Sequence, residues 1–219
     1  MIDKTAYIGD KVKLGKNVSI GRYSIIDGDV EIGDNTTISH FCCIGTPAQT
    51  VPNDYVGKII IGKNNVIREY VSINLPAKDV TKIGNENLIM CGINIGHDIK
   101  IGNNTVICVG AQLGGHSVVG DYVKLGLNSC VHQFVKIGAH SMIGMGSQVR
   151  LDVPPFSVVE NAKVGFDFIG LKRFGNGYKI SEVKKAYFKY KKDSLNFNPD
   201  EYSDKIRSVY KKFLNEEGE

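Results

Sequence analysis

Ile95-Gly96-His97-Asp98-Ile99-Lys100-Ile101-Gly102 opens a stretch, closing on Asp152-Val153-Pro154-Pro155, in which a large aliphatic residue returns at every sixth position. Ile95, Ile101, Ile107, Leu113, Val119, Leu125, Val131, Ile137, Ile143 and Val149 keep that interval without exception. The stretch is too rich in glycine for helices and too regularly punctuated for long strands. Strand side chains alternate with period two, so six residues make one short strand and one corner, with the aliphatic residue pointing inwards. Three such sides close a triangular coil of about 18 residues, and successive coils pair as parallel strands about 4.8 Å apart. The repeat therefore predicts a mainly β fold, a parallel β-helix or solenoid.

The same ruler extends to the start of the chain. Ile8, Leu14, Ile20, Ile26, Ile32, Ile38 and Ile44 are in phase, and the pattern resumes at Ile61, Ile67, Ile73, Ile83 and Ile89. Two interruptions read as excursion loops: residues 46–58, carrying Pro47 and Pro52, and a shorter one around Pro76–Lys82. The fifth place of each hexad is small or β-branched, as at Val18, Ser24, Thr36, Thr105, Ala111, Ser117 and Val123. Beyond Pro155 the hexads stop. The spacing predicts helices over Phe166–Arg173, ended by Gly175, and around Ile180, Val183, Tyr187 and Tyr190 behind Ser181. A third is expected to open at Asn198-Pro199, with Tyr202, Ile206, Tyr210 and Phe213 on one face. The expected organisation is a β-helix domain, residues 1–163, and a helical domain, residues 164–219, that caps the last coil.

Composition narrows the class of function. A formal net charge of +4 in 219 residues is too mild to argue for a nucleic-acid partner. No apolar run reaches membrane-spanning length and Met1-Ile2-Asp3-Lys4 does not begin a signal peptide, so a cytoplasmic protein with at most peripheral membrane contact is expected. Cys42, Cys43, Cys91, Cys108 and Cys130 have no zinc spacing, so free thiols, no metal and no cofactor are expected.

Residues 18 apart fall on one corner of the prism at successive coils. His97, Gly115 and Gln133 form one column, adjoined by His116 and His132. It holds a titratable base, a glycine whose backbone can approach a ligand, and an amide. A second corner carries Asn85, Asn103 and Asp121, and the third carries the apolar column Cys91, Val109, Leu127 and Met145. Two readings of these columns stand side by side: a subunit contact that hides the apolar corner, and an active site at a subunit boundary with the apolar column as an acyl groove.

Ile95-Gly96-His97-Asp98, Gly114-Gly115-His116, Val131-His132-Gln133-Phe134, Asp152-Val153-Pro154-Pro155-Phe156 and Gly170-Leu171-Lys172-Arg173 resemble the UDP-N-acetylglucosamine O-acyltransferases of lipid A biosynthesis. The resemblance implies a left-handed β-helix, a homotrimer, and transfer of a hydroxyacyl group from acyl carrier protein to the sugar 3-hydroxyl. It implies that His97 is the general base, that Asp98 orients its imidazole, and that the Gly115 N–H faces the thioester oxyanion. A neutral imidazole suits the task because an unperturbed histidine titrates near pH 6.5. Asn94, His116, His132 and Gln133 are then expected to line the sugar-nucleotide pocket, Arg173 to meet the diphosphate, and Met145 to act as the acyl-chain ruler.

The chain departs from the family pattern at Asn94, where a histidine is common, at Asp54-Tyr55, where a lysine is usual, at Asp167 in place of an asparagine, and at Phe174 in place of a second arginine. These changes leave open a paralogous acyltransferase using acetyl- or acyl-CoA on another sugar nucleotide. A non-catalytic β-helix scaffold is the third reading, against which the retained His97, Asp98 and Gly115 speak. Lys172, Arg173, Lys179, Lys184, Lys185, Lys189, Lys191 and Lys192 offer either a docking face for an acidic carrier protein or a solvated helix surface.

Overall fold

A computed structural model of the chain describes residues 1–51, 56–161, 163–175 and 177–215. Short strands wind around three faces as a parallel β-helix. The first face stacks eight strands, from Tyr7–Ile8 to Gln148–Val149, and the second seven, from Lys13–Leu14 to Lys136–Ile137. The third begins at Ser19–Ile20 and ends in an antiparallel hairpin, Ser157–Glu160 with Lys163–Phe166. Register follows the repeat: Asn94 pairs with Gln112, Gln112 with Cys130, and Cys130 with Gln148.

The hexad aliphatics make the core. From Ile20 to Val149 each in-phase residue is 4% exposed or less, whereas Ile8 and Leu14 are only half-buried at the open N-terminal end. Fully burying one such side chain stabilises by roughly 1.5–3 kcal/mol, which many coils multiply. The fifth-place residues, including Ser24, Thr36, Thr105, Ala111, Ser117 and Val123, are also buried. They point into narrow corners, which is why they are small. Most corners place a residue in the left-handed region. Asparagine fills it at Asn17, Asn35, Asn64 and Asn104, yet Asp98, His116, Tyr122, Phe134 and His140 adopt it too. Side chains of that bulk seldom tolerate positive φ, and here the stacked coils impose it.

Both interruptions of the repeat leave from the same edge, the corner between the first and second faces. One joins Cys43–Thr46 to Lys58–Ile61, and residues 52–55 within it, with the Asp54-Tyr55 departure, lie outside the described residues. The other joins Ser72–Asn74 to Val80–Ile83, so it is shorter than the sequence suggests: Val80 already pairs with Lys58. His97 follows on the next coil at the same corner.

The C-terminal region differs in detail from its sequence reading. Phe166 ends the hairpin opposite Ser157 instead of starting a helix, because the last strand of the third face takes an antiparallel partner. The expected domain boundary at 163/164 falls in that strand. Helix α1 is Phe168–Phe174; Asp167 caps it by accepting the Gly170 N–H at 2.7 Å, and Gly175 follows it. Helix α2 is Ile180–Lys192. Asn198 caps only a 3-10 turn, Pro199–Glu201, and α3 begins afresh at Asp204 and runs to Asn215. Leu171, Val183, Ala186, Phe197, Ile206 and Tyr210 form a second core around Phe156. This core sits against the corner between the second and third faces, where Phe156 stacks on His140 and Lys212 bonds Asp121 at 2.8 Å.

Candidate active site

The corner between the first and second faces brings together the residues singled out by column. Asp98 is buried, and its Oδ2 lies 2.8 Å from His97 Nδ1. The same carboxylate accepts backbone N–H bonds from Ala77 at 2.8 Å and from Lys78 and Asp79 at 3.0 Å each. Burial works to raise the Asp98 pKa, but the Asp79 amide, His97 and the other two amides outweigh it and hold the group below the usual carboxylate range. An ionised Asp98 can only accept, so the proton in the His97–Asp98 bond belongs to Nδ1. In the neutral ring Nε2 is then the lone-pair acceptor.

That nitrogen faces Gly115. A Cβ built on Gly115 would lie 2.5 Å from His97 Nε2, so only glycine fits beneath the ring. Among the described residues no acceptor takes the Gly115 N–H. His116 sets its ring edge-on to His97 with centroids 5.0 Å apart, its Nε2 3.8 Å from Asp98 Oδ2, and stacks on Phe134 at 4.7 Å. Burial lowers the His116 pKa and prevails over the pull of Asp98, so the site favours the neutral form of this ring. The ligand atoms of His97, Asp98 and His116 lie within 4.8 Å of one another, close enough to share a metal ion. The Asp98 oxygens such an ion would need are already engaged by three amides and His97.

Asn94, His132 and Gln133 line an open groove on the adjoining first face, with Gln112 and Cys130. Arg173 lies elsewhere: it lines a pocket at the corner between the second and third faces with Tyr122, Lys124, His140, Asp167 and Phe174. Lys124 Nζ stands 3.1 Å over the Phe174 ring in that pocket. The apolar column occupies the third corner, where Val109, Leu127 and Met145 are 40%, 46% and 75% exposed. Three expected parts of one site thus sit on three corners of one chain. The hexad ruler missed the 77–79 amides, Thr81, Tyr122, Lys124 and His140; Lys124 precedes its hexad aliphatic as Lys13, Lys100 and Lys136 do, so the repeat did not mark it.

A three-sided coil of hexads with a histidine–carboxylate pair at one corner defines the hexapeptide-repeat transferase class, and residues 11–46 match the bacterial transferase hexapeptide (six repeats) family. An acyl-[acyl-carrier-protein]–UDP-N-acetylglucosamine O-acyltransferase of Thermodesulfovibrio yellowstonii is 43% identical over 210 residues, 91% of this chain and 80% of that protein. The chain belongs to the acyl-[acyl-carrier-protein]–UDP-N-acetylglucosamine O-acyltransferase family. Among solved structures, the UDP-N-acetylglucosamine acyltransferase of Francisella novicida aligns with a TM-score of 0.72 at 32% identity, covering 85% of this chain and 78% of that one. The Campylobacter jejuni enzyme aligns with a TM-score of 0.75 at 26% identity, covering 98% and 96%. Among the described residues no helix is long and apolar enough to cross a membrane.

Proposed function

We propose that the chain transfers a hydroxyacyl group from the thioester of acyl carrier protein to the 3-hydroxyl of UDP-N-acetylglucosamine, the opening step of lipid A biosynthesis. The observation that carries this reading is the His97 ring, fixed through Nδ1 by an ionised Asp98, with Nε2 against Gly115, whose N–H meets no acceptor among the described residues. Nε2 takes the proton of the sugar hydroxyl as its oxygen attacks the thioester carbonyl carbon. The Gly115 N–H then donates to the oxyanion. As the carbonyl re-forms, the C–S bond breaks and the imidazolium returns the proton to the departing thiolate. His116, Asn94, His132 and Gln133 hold the acceptor sugar beside this point.

Arg173 and Met145 enter through other copies of the chain. They lie on different corners from His97, so one chain cannot bring them to one substrate. A closed ring of three copies would set the histidine corner of each against a neighbour. It would also cover the exposed Val109, Leu127 and Met145. Light scattering should therefore report a trimer, and a stable, active monomer would refute the shared site. Purified protein is to be assayed with hydroxyacyl carrier protein and with acyl-CoA, each against UDP-N-acetylglucosamine. Turnover with the carrier protein supports the reading, and turnover confined to acyl-CoA or another sugar supports the paralogous one. His97→Ala should lower the rate by about 10²–10⁴-fold with an unchanged thermal midpoint.

A further inference from the structure

We infer that the two interruptions of the repeat act together as a positioning device for the catalytic pair, with Gly57 and Thr81 as its fixed points. The inference rests on the transfer reading above and adds residues that make no contact with the reacting atoms.

The device is a continuous chain of contacts ending at His97. The second loop places three consecutive amides, Ala77 to Asp79, around the Asp98 carboxylate. From below, the Asp98 backbone N–H donates to Thr81 Oγ1 at 3.0 Å, and the Thr81 hydroxyl donates to Asn74 O at 3.3 Å. The Asn74 amide reaches the first loop, donating to Thr46 Oγ1 at 2.8 Å and Pro47 O at 3.3 Å. Thr81 and Asn74 are 0% and 2% exposed, so each missing partner would leave a buried polar group unsatisfied.

The first loop holds the second in return. Leu75 N donates to Thr46 O at 2.8 Å and Val56 N to Pro76 O at 3.1 Å. Gly57, at φ +84°, brings its backbone so near that a Cβ there would lie 1.8 Å from Asp79 O. Asp79 is one of the three residues whose amides hold Asp98. A side chain at position 57 must therefore push away the peptide that orients the carboxylate, which in turn orients the ring. Displacements of about 1 Å far from the chemistry can cost about 10²-fold in rate.

The test compares Gly57→Ala, Thr81→Val and Thr81→Ser in the full-length enzyme with acyl carrier protein and UDP-N-acetylglucosamine. Gly57→Ala and Thr81→Val should lower kcat about 10- to 100-fold and leave KM for the sugar nucleotide within about twofold. Thr81→Ser, which keeps the hydroxyl, should restore kcat. In an Asp98→Asn background Gly57→Ala should add no further loss, because both act through the same contact. The far-downfield proton resonance expected of the His97–Asp98 bond should broaden or vanish in Gly57→Ala. Near-normal kcat in both Gly57→Ala and Thr81→Val, or full additivity with Asp98→Asn, overturns the device. A wild-type protein inactive on UDP-N-acetylglucosamine would instead overturn the transfer reading, and the proton resonance would still report on the positioning.

Discussion

Two corners of this prism use the same place in the hexad for opposite ends. At the corner between the second and third faces that place is held by Asn85, Asn103 and Asp121. Each side chain accepts the backbone N–H of the residue one coil earlier: Lys63 donates to Asn85 at 2.8 Å, Asn85 to Asn103 at 2.8 Å, and Asn103 to Asp121 at 2.7 Å. The N–H groups of Lys63, Asn85 and Asn103 are satisfied along that ladder, which ends at Asp121. At the corner between the first and second faces the corresponding residues are His97, Gly115 and Gln133, and the ladder is missing. Gly115 offers its predecessor no side chain, and its own N–H meets no acceptor among the described residues. A donor that costs free energy to leave unpaired is here kept open beside a base. The scaffold corner shows what satisfied turns look like in this fold, and the other departs from it at the residues that chemistry requires.

The largest effect should come from closing the open corner. Gly115→Ala places a methyl group 2.5 Å from His97 Nε2, so the ring or the backbone must move. Turnover should fall by about 10²–10³-fold, the usual loss when an oxyanion donor is removed, while Asn103→Ala at the scaffold corner should leave turnover unchanged. Equal losses at the two corners would erase the distinction.

Charge reversal at Lys184, Lys185 and Lys189 together should slow the reaction with acyl carrier protein by about tenfold at low salt. These residues are exposed on α2, opposite its buried Val183, Ala186 and Tyr187. An unaltered rate at low ionic strength would return them to a solvated face.

Met145 sharpens the comparison at the third corner, where apolar side chains replace the polar ladder. Met145→Gly should shift donor preference from about ten carbons towards longer chains, since each newly buried methylene is worth about 0.8 kcal/mol. Competition between short and long hydroxyacyl donors measures it, and an unchanged profile would leave Met145 as a packing residue.

The smallest effect concerns stability. His140 stacks between Tyr122 and Phe156, and burial pushes its pKa down to about 4, against the opposing pull of Asp121. Its folded pKa lies below the unfolded value near 6.5. The unfolded chain therefore takes up the proton first, and the protein loses stability as pH falls from about 6.5 towards 4. His140→Phe keeps the stack and should flatten the thermal midpoint over that range. A slope as steep as the wild type's would assign the acid sensitivity to another group.

The sequence by itself determined the solenoid, its three columns and the placing of Gly115 one coil beyond His97, while the role of Asp98 beside His97 was implied only by the family resemblance. It did so because a coil meets its neighbours at a constant separation: the amide-to-side-chain bonds from Asn85 and Asn103 each span 18 residues. Wherever that separation holds, a ruler reads contacts directly. Only the tertiary structure decided what the insertions do. The bonds from Ala77, Lys78 and Asp79 to Asp98 span 21, 20 and 19 residues, and Thr81 reaches Asp98 across 17. No period marks them, since an inserted loop is free to fold back by any number of residues. The same holds for Arg173, whose helix leaves the repeat altogether and docks through Phe156 on a corner that spacing could not name. Periodicity fixes what each coil repeats, and packing alone fixes what interrupts it.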